Sequence, residues 1–436
     1  MSTIWKLSAP TVAVMLIQGL VNTAEVYFVG RLGASAIAGA SLCFPMMMLM
    51  SAMSGAGLGG GVSSSIARSI GARNPERSRL LAIHSIVLGL LFGLFFTVVM
   101  EIFGHALFRT MGGSDEALRQ ALAYSNAFFR GVIVVWLFNT LTSIFRGLGQ
   151  PEFPAMVGVV GAVVIIIASP SLIFGIGPIP ALGIGGAGIA VIVYVSGASV
   201  ILLARLFSSK SPLQLSLKGF HFEKELFWEI LRVGLPSALN TVVGSMGFMV
   251  MTGLVGRFGT TGLAAFGLGS RFEFVLIPVV FGLGTAVVTL VGAAMGAQNL
   301  ARAKSVTRIS TIIGAVLWGV AGVILVLFPR LWLGIFTTDP QVLQVGTQYL
   351  RTVAPFYPLV GVGMILYFAC QGLGQATLPL ILSIGRFAIA LLLGWAVVHF
   401  GGGIGSVFAA VAVGLVIYSF SLMATIYVTF RKLEAS

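Results

Sequence analysis

The chain is poor in charged residues. Asp, Glu, Lys and Arg make up 8% of its 436 residues, whereas hydrophobic residues make up 58%. Soluble domains carry about 25% charged residues, so the composition predicts that lipid surrounds most of the chain. The two cysteines, Cys43 and Cys370, lie in apolar runs without neighbouring His or Cys residues. This scarcity excludes a disulfide framework.

Motifs typical of catalysis, metal binding and ATP hydrolysis are also missing. The four histidines (His84, His105, His221 and His399) occur singly, without a second ligand at metal-binding spacing. No Gly-Lys-Ser/Thr motif follows the glycine-rich stretch at 55–61, so no phosphate-binding loop is predicted. We therefore expect no enzyme activity, no metal and no cofactor. Any transport must use an ion gradient or be passive.

Twelve apolar runs are long enough to cross a bilayer. A spanning helix needs about 20 apolar residues, whereas transmembrane strands are shorter and alternate polar with apolar residues. The sequence therefore predicts an all-α membrane protein. The runs are 7–29, 36–66, 80–103, 121–145, 154–174, 187–207, 231–255, 262–291, 309–328, 345–370, 378–399 and 406–430.

Basic residues cluster on one side of this topology. Groups lie at 68–79, 205–232, 302–308 and 431–432, and fewer basic residues occupy the other loops. The positive-inside rule places the basic side, with both termini, in the cytoplasm. The formal net charge of +13 thus orients a multi-pass protein of the cell membrane, and no nucleic-acid partner is predicted.

The two halves of the chain repeat each other at a nearly constant offset. The matches include Pro10 with Pro236, Gly-Arg-Leu-Gly at 30–33 with Gly-Arg-Phe-Gly at 256–259, Tyr124 with Tyr349, and Gly-Leu-Gly-Gln at 147–150 with 372–375. Each half carries an even number of spans, so an axis along the membrane normal should relate the halves. We predict lobes at 1–207 and 228–436, joined by a cytoplasmic linker at 208–227. A substrate site is expected between them.

The repeat fails at Glu25, whose counterpart is Met251. A charge at mid-bilayer costs about 2.5 to 3.5 kcal/mol on insertion scales, so such a residue is a candidate functional site. Gln18 and Asn22 share its helix face. Low dielectric favours the neutral carboxyl, so Glu25 can bind a proton on one side and release it on the other. Alternatively, hydrogen bonds to Gln18 and Asn22 hold it neutral for helix packing alone.

Other charged residues also lie within predicted spans. Glu273 and Arg271 are about 200 degrees apart around one helix, so each is expected to pair with another helix. Glu273 is either a structural anchor or a functional group. Arg130, Arg271 and Arg386 outnumber the interior carboxylates, which argues against a simple preference for cationic cargo.

The repeated motifs together resemble the multidrug and toxic compound extrusion (MATE) family. They are Pro10, Gly-Arg-Leu-Gly at 30–33, Gly-Ala-Arg-Asn at 71–74, their second copies, and the Gly-Leu-Gly-Gln turns. The resemblance covers essentially the whole chain. It implies an antiporter that expels amphipathic compounds for protons or sodium by rocking two six-helix lobes. It also implies that Glu25 occupies the place of the family's acidic residue on the first span, where Asp is more usual.

The resemblance is closer to the DinF-like branch than to the NorM-like branch. It implies that Tyr124 and Asn139 join Glu25 at the cation site, whereas Ile165 and Ser169 stand where that branch has an Asn and an Asp. The acidic residues of the NorM-like branch are absent from 236–255 and 345–370. Because sodium needs several oxygen ligands, a cation site that lacks these two ligands favours proton coupling.

These observations predict a secondary antiporter that exports amphipathic organic compounds, such as drugs and toxins, in exchange for protons or alternatively sodium. It is expected to act as a monomer in the lipid bilayer. The predicted coupling and substrate residues are Glu25, Gln18, Asn22, Tyr124 and Asn139, with Glu273 and Arg271 as further cavity residues. The alternative is a flippase or exporter of an anionic or lipid-linked metabolite. A channel or scaffold is disfavoured because the sequence has no repeated polar ring or large extramembrane domain.

Overall fold

The computed structural model describes residues 2–177, 180–209, 211–216 and 221–435, and this part contains helices and loops but no β-strand. The predicted all-α fold is confirmed. The helices are α1 (Ser2–Gly30), α2 (Ala34–Ala52), α3 (Gly59–Gly71), α4 (Pro75–Thr110), α5 (Asp115–Phe129), α6 (Val132–Gly147), α7 (Glu152–Phe174), α8 (Ile184–Phe207), α9 (Lys224–Gly256), α10 (Gly259–Gly296), α11 (Leu300–Leu327), α12 (Pro329–Leu333), α13 (Pro340–Val353), α14 (Tyr357–Gly372), α15 (Thr377–His399) and α16 (Ile404–Ala435).

In the described residues, eleven helical segments are long and apolar enough to cross a membrane, and a bent pair can supply the twelfth span. The bent pair is α5 and α6, which meet at 50°. The hydroxyl of Thr97 donates to the carbonyl of Phe129 at 3.0 Å, which satisfies one backbone acceptor at the break. The second copy breaks at the corresponding place, where the 3-10 turn Ala354–Phe356 contains Pro355.

Two hydrophobic cores hold the helices together, one in each half of the chain. The amino-terminal core contains buried residues from Val29 to Leu206, and the carboxy-terminal core contains those from Met251 to Phe430. The first helix of each half also packs against the other half. Ile4 lies in the carboxy-terminal core, and its counterpart Ile230 lies in the amino-terminal core. The two lobes therefore exchange equivalent side chains.

Small residues bring the two lobes into backbone contact, and the contacts occur in symmetric pairs. A Cβ on Gly57 would meet the backbone of Ala238, and a Cβ on Gly282 would overlap the side chain of Val12, the counterpart of Ala238. Likewise, a Cβ on Gly71 would overlap the carbonyl of Ala293, and one on Gly296 would overlap the carbonyl of Arg68. Such close packing of helices needs residues without bulky side chains.

Hydrogen bonds join the lobes by the same symmetry. Ser64 donates to the carbonyl of Gln371, and Thr289 donates to the carbonyl of Arg146 at 2.9 Å. Among the described residues, the hydrogen bonds that Ser64, Arg68, Arg77 and Thr289 donate to the other half lie near the loops that follow α3, α6 and α10, on the side of the bundle where the chain begins and ends. We call this side the terminal face. The lobes are thus joined at the terminal face.

An unsymmetric ion-pair cluster adds to this joint. Glu229 on α9 accepts from Arg68 at 3.1 Å and from Arg77 at 2.7 Å, and about a fifth of its side chain is exposed. The counterpart of Glu229 in the first half is Thr3, so only one copy of this link exists. Its partial burial limits the screening that weakens exposed pairs.

We expect Glu229→Gln to loosen the terminal face. Removing the ion pairs of Glu229 with Arg68 and Arg77 should cost about 1 kcal/mol. The ratio of protein with a closed terminal face to protein with an open one then falls about fivefold. Nitroxide labels at the exposed positions 76 and 301, with Cys43 and Cys370 replaced by Ala, would report this as a larger population of long distances. Glu152→Gln, which removes an exposed carboxylate elsewhere on this face, is the matched control. An unchanged distance distribution in Glu229→Gln would contradict the prediction.

Candidate functional site

Glu25 points into the amino-terminal lobe. Its side chain is partly buried, and its Oε1 is buried without a hydrogen-bond partner in the described part of the chain. Val29, one turn further along the same helix face, is 4% exposed and belongs to the amino-terminal core. Residues four apart share a face of the helix, so α1 is turned towards protein at Glu25 and Val29. An unsatisfied buried oxygen is costly, so Oε1 is suited to accept a proton or a ligand donor.

The structure places Tyr124 near Glu25. Tyr124 lies on α5, is buried, and interacts electrostatically with the carboxyl group. Asn139 on α6 instead donates its amide to the hydroxyl of Ser54 at 2.7 Å. Ser54 belongs to the π-helical segment Met53–Leu58, a widened turn of a kind that often occurs at functional sites. Tyr124 and Asn139 therefore line the same lobe but contact different groups.

Gln18 and Asn22 are exposed on the helix face that carries Glu25. Neither residue donates to the orphan oxygen of Glu25, which has no partner among the described residues. The hydrogen bonds invoked by the helix-packing alternative are therefore not formed to this oxygen. Both amides remain available on the same face of α1.

The wall opposite α1 is largely apolar. Ile165 on α7 packs with Val21 and Ala162, and Tyr194 on α8 packs against the same cluster. Ser169 is fully buried, and its hydroxyl, like that of Tyr194, has no hydrogen-bond partner in the described ranges. An apolar side chain, Ile165, and a hydroxyl, Ser169, thus stand where the resemblance implied an amide and an acidic ligand.

Glu273 lies at a second polar site, in the carboxy-terminal lobe. The hydroxyl of Tyr349 donates to its Oε1 at 3.2 Å, and that of Tyr357 donates at 3.3 Å. These partners come from α13 and α14, so Glu273 does pair with other helices, as expected. Tyr349 is the counterpart of Tyr124 in the repeat. Each lobe thus sets a carboxyl group beside its copy of the same tyrosine, but from a different span.

The interior arginines differ from expectation. Arg130 pairs with Glu101 at 2.9 Å, and both side chains are more than half exposed, so Arg130 is not an interior charge. The bend between α5 and α6 carries it to the surface. Arg271 is exposed and forms no ion pair within the described ranges. Arg386 alone among these three stacks within a lobe, over the rings of Phe387 and Tyr418.

Several of these interactions were not predicted from the sequence. The joint at the terminal face includes Glu229 and Gln371, which lie just outside the predicted spans 231–255 and 345–370 and were not singled out. Gln371 is fully buried, and its amide donates across the lobes to the carbonyl of Ala56 at 3.3 Å and within its own lobe to the hydroxyls of Ser237 and Tyr367. Its counterpart is Arg146, so a comparison of the two halves at 146 and 371 would have drawn attention to it.

Known proteins resemble the chain over most of its length. The family model described as MatE matches residues 10–170 and again 236–396, so each half matches the family separately. The probable multidrug resistance protein YoeA of Bacillus subtilis is 28% identical, with 83% of this chain and 78% of that protein covered. The FAD transporter of Shewanella oneidensis is 26% identical, with 87% and 84% covered.

A solved structure has the same fold. It is described as the outward-facing conformation of a multidrug resistance MATE family transporter, with a TM-score of 0.89, 27% identity, and 100% of this chain and 96% of that chain covered. The duplicated family match, the helical bundle and this structural likeness agree with one another. The chain is therefore a multi-pass membrane transporter, not an enzyme, and it belongs to the MATE family.

Proposed function

We propose that the protein exports amphipathic organic compounds, such as drugs and toxins, across the cell membrane in exchange for protons. The main support is Glu25, a carboxyl group inside the amino-terminal lobe with a buried, unpartnered oxygen. Exposed Gln18 and Asn22 lie on the same helix face, and Tyr124 lies near it. One titratable group in a protected lobe is what proton coupling requires.

The proposed exchange is a competition at Glu25. The deprotonated carboxylate accepts a hydrogen bond from the cargo, and uptake of a proton removes this acceptor charge and favours release. Tyr124, Asn139, Gln18 and Asn22 hold the cargo or orient the carboxyl group.

We further propose that the terminal face is cytoplasmic, in accord with its basic loops. The inter-lobe hydrogen bonds described above would then close the cytoplasmic side, and the cleft between the lobes would open outwards. Opening of the terminal face would give the inward-open state. We retain 1–207 and 228–436 as the two moving lobes, with 208–227 as their linker, and a single chain as the transport unit.

Proton coupling is preferred to sodium coupling because the amide and the second carboxylate that the DinF-like pattern implies are both missing. The two further positions implied by the DinF-like pattern are Ile165, which is apolar, and Ser169, a neutral hydroxyl. Sodium gains from several hard oxygen ligands, whereas a proton needs only one titratable oxygen. The chain is therefore proposed to be closest to the DinF-like branch, with a site reduced to proton binding.

Separately imposed gradients would test the coupling ion. Purified protein in liposomes should move rhodamine 6G, an amphipathic cationic dye, when a pH gradient is imposed at equal sodium on both sides. A sodium gradient at equal pH should produce no more movement than protein-free liposomes. Exchange driven by sodium alone would contradict proton coupling, and movement under neither gradient would contradict the antiporter.

A second candidate is a flippase or exporter of an anionic or lipid-linked metabolite. Arg386, which lies inside the carboxy-terminal lobe over two aromatic rings, favours it. The similarity to a protein named FAD transporter is consistent with it.

A further inference from the structure

A guanidinium group inside the carboxy-terminal lobe, that of Arg386, forms no ion pair with any described residue. The Cζ of Arg386 lies 4.7 Å from the ring centroid of Phe387 and 5.4 Å from that of Tyr418. Within residues 2–177, 180–209, 211–216 and 221–435, no ion pair within 4.0 Å involves Arg386. Intramembrane arginines usually pair with acidic side chains or backbone carbonyls. Arg386 therefore forms no direct ion pair within its own lobe.

Glu273 is not in direct contact with this guanidinium group. It interacts electrostatically with Arg386, but the two groups form no ion pair, and its Oε1 accepts the hydroxyls of Tyr349 and Tyr357. The Oε1 of Glu273 is thus bound by tyrosine hydroxyls and not by the guanidinium group. The guanidinium group keeps its planar fork of donors, which suits carboxylate and phosphate groups.

The amino-terminal lobe fills the equivalent space differently. The counterpart of Arg386 is Gly161, and the ring of Tyr194 occupies the place where a Cβ on Gly161 would lie. In the carboxy-terminal lobe the glycine is on the other helix. Gly414 there leaves space for the side chain of Arg386, whose Cγ would lie 3.5 Å from a Cβ at position 414. The Gly-Ile-Gly copies at 183–185 and 403–405 align Tyr194 with Gly414. The side chain of Arg386 in the carboxy-terminal lobe thus lies where the amino-terminal lobe has the ring of Tyr194.

We propose that Arg386 binds an acidic group, a carboxylate or a phosphate, of the transported compound, while the rings of Phe387 and Tyr418 contact its apolar part. Amphipathic anions and zwitterions are then among the transported compounds, and they bind with the acidic end in the carboxy-terminal lobe. Glu25, in the other lobe, keeps its proposed role in proton exchange. This assignment rests on the proposed transport function but concerns cargo binding and not coupling.

Equilibrium binding would test the site without any gradient. The full chain in lipid nanodiscs is titrated into fluorescein, an anionic dye, and rhodamine 6G, a cationic dye with the same ring system, and fluorescence anisotropy is recorded. We expect Arg386→Gln to weaken fluorescein binding about 10- to 100-fold, the usual value of a hydrogen bond to a charged group. Rhodamine 6G binding should change less than about threefold, and Arg386→Lys should keep part of the fluorescein affinity.

A double variant separates cargo binding from a counter-ion role. If Arg386 only balances Glu273, then Arg386→Gln with Glu273→Gln should restore fluorescein binding; a cargo site predicts that it does not. Thermal unfolding confirms that each variant is folded. The proposal would be overturned if the wild type does not bind fluorescein or if Arg386→Gln binds it as well as the wild type does. It would also be overturned if folded Arg386→Gln loses fluorescein and rhodamine 6G binding equally, or if the double variant regains fluorescein binding. Failure of pH-driven transport with this pattern intact would refute the coupling mechanism alone.

Discussion

Replacing Glu25 with Gln is expected to reduce dye exchange driven by a pH gradient at least about tenfold, to the level of protein-free liposomes. Gln keeps the size and hydrogen-bonding capacity of the side chain but cannot gain or lose a proton in this range. If proton uptake at Glu25 drives release of the cargo, the coupling is lost while the lobes can still rock. Exchange of labelled for unlabelled dye without a gradient should therefore persist.

The design includes two comparisons. Glu152→Gln removes an exposed carboxylate from α7 and should leave pH-driven exchange unchanged. Glu25→Asp keeps the titratable group and should retain part of the activity. Undiminished pH-driven exchange in Glu25→Gln would remove Glu25 from the mechanism. Loss of the exchange in Glu152→Gln would show instead that the assay responds to carboxylates in general.

Gly296→Ala and Gly71→Ala are each expected to prevent closure of the terminal face and to reduce transport at least about tenfold. The added Cβ would overlap the backbone of Arg68 in the first variant and that of Ala293 in the second. A backbone carbonyl cannot rotate away as a flexible side chain can, so the lobes must separate. Overpacking of this kind costs about 1 to 3 kcal/mol, enough to depopulate a state that is only slightly preferred.

The same label pair at 76 and 301 would show the change directly as a shift to long distances. Gly197→Ala and Gly253→Ala are the controls, because a Cβ at either position meets no atom within 4 Å. Both should transport normally and be slightly more stable, since Ala favours helix by about 0.5 to 1 kcal/mol over Gly. Normal transport in Gly296→Ala and Gly71→Ala would mean that the terminal face need not close as tightly as the structure has it.

The two glycine variants also test the symmetry of the joint. Gly71 and Gly296 are counterparts in the repeat and make equivalent contacts. Similar losses are expected from both. The Glu229 link has no second copy, so its effect should be smaller and should depend on charge alone.

Much of the fold could be predicted from the sequence because it depends on composition and short-range pattern. Apolar length predicts the spans, since a helix must satisfy its backbone groups across the hydrocarbon core. The repeated motifs indicate two copies of one bundle, and the break in the repeat at Glu25 identifies an exceptional carboxyl group. None of these inferences requires knowing which helices touch.

The contacts between distant parts of the chain were decided only by the tertiary structure. Hydropathy cannot show that Glu229 forms ion pairs with Arg68 and Arg77, or that Arg130 lies at the surface and pairs with Glu101. It also cannot show that Tyr124 and Tyr349 interact with carboxyl groups from different spans. Nor can it show that Tyr194 fills the space that Arg386 occupies in the other lobe. The physical reason is that a side chain's partner depends on helix rotation and on the close approach of two lobes, whereas its membrane depth depends mainly on its position in an apolar run.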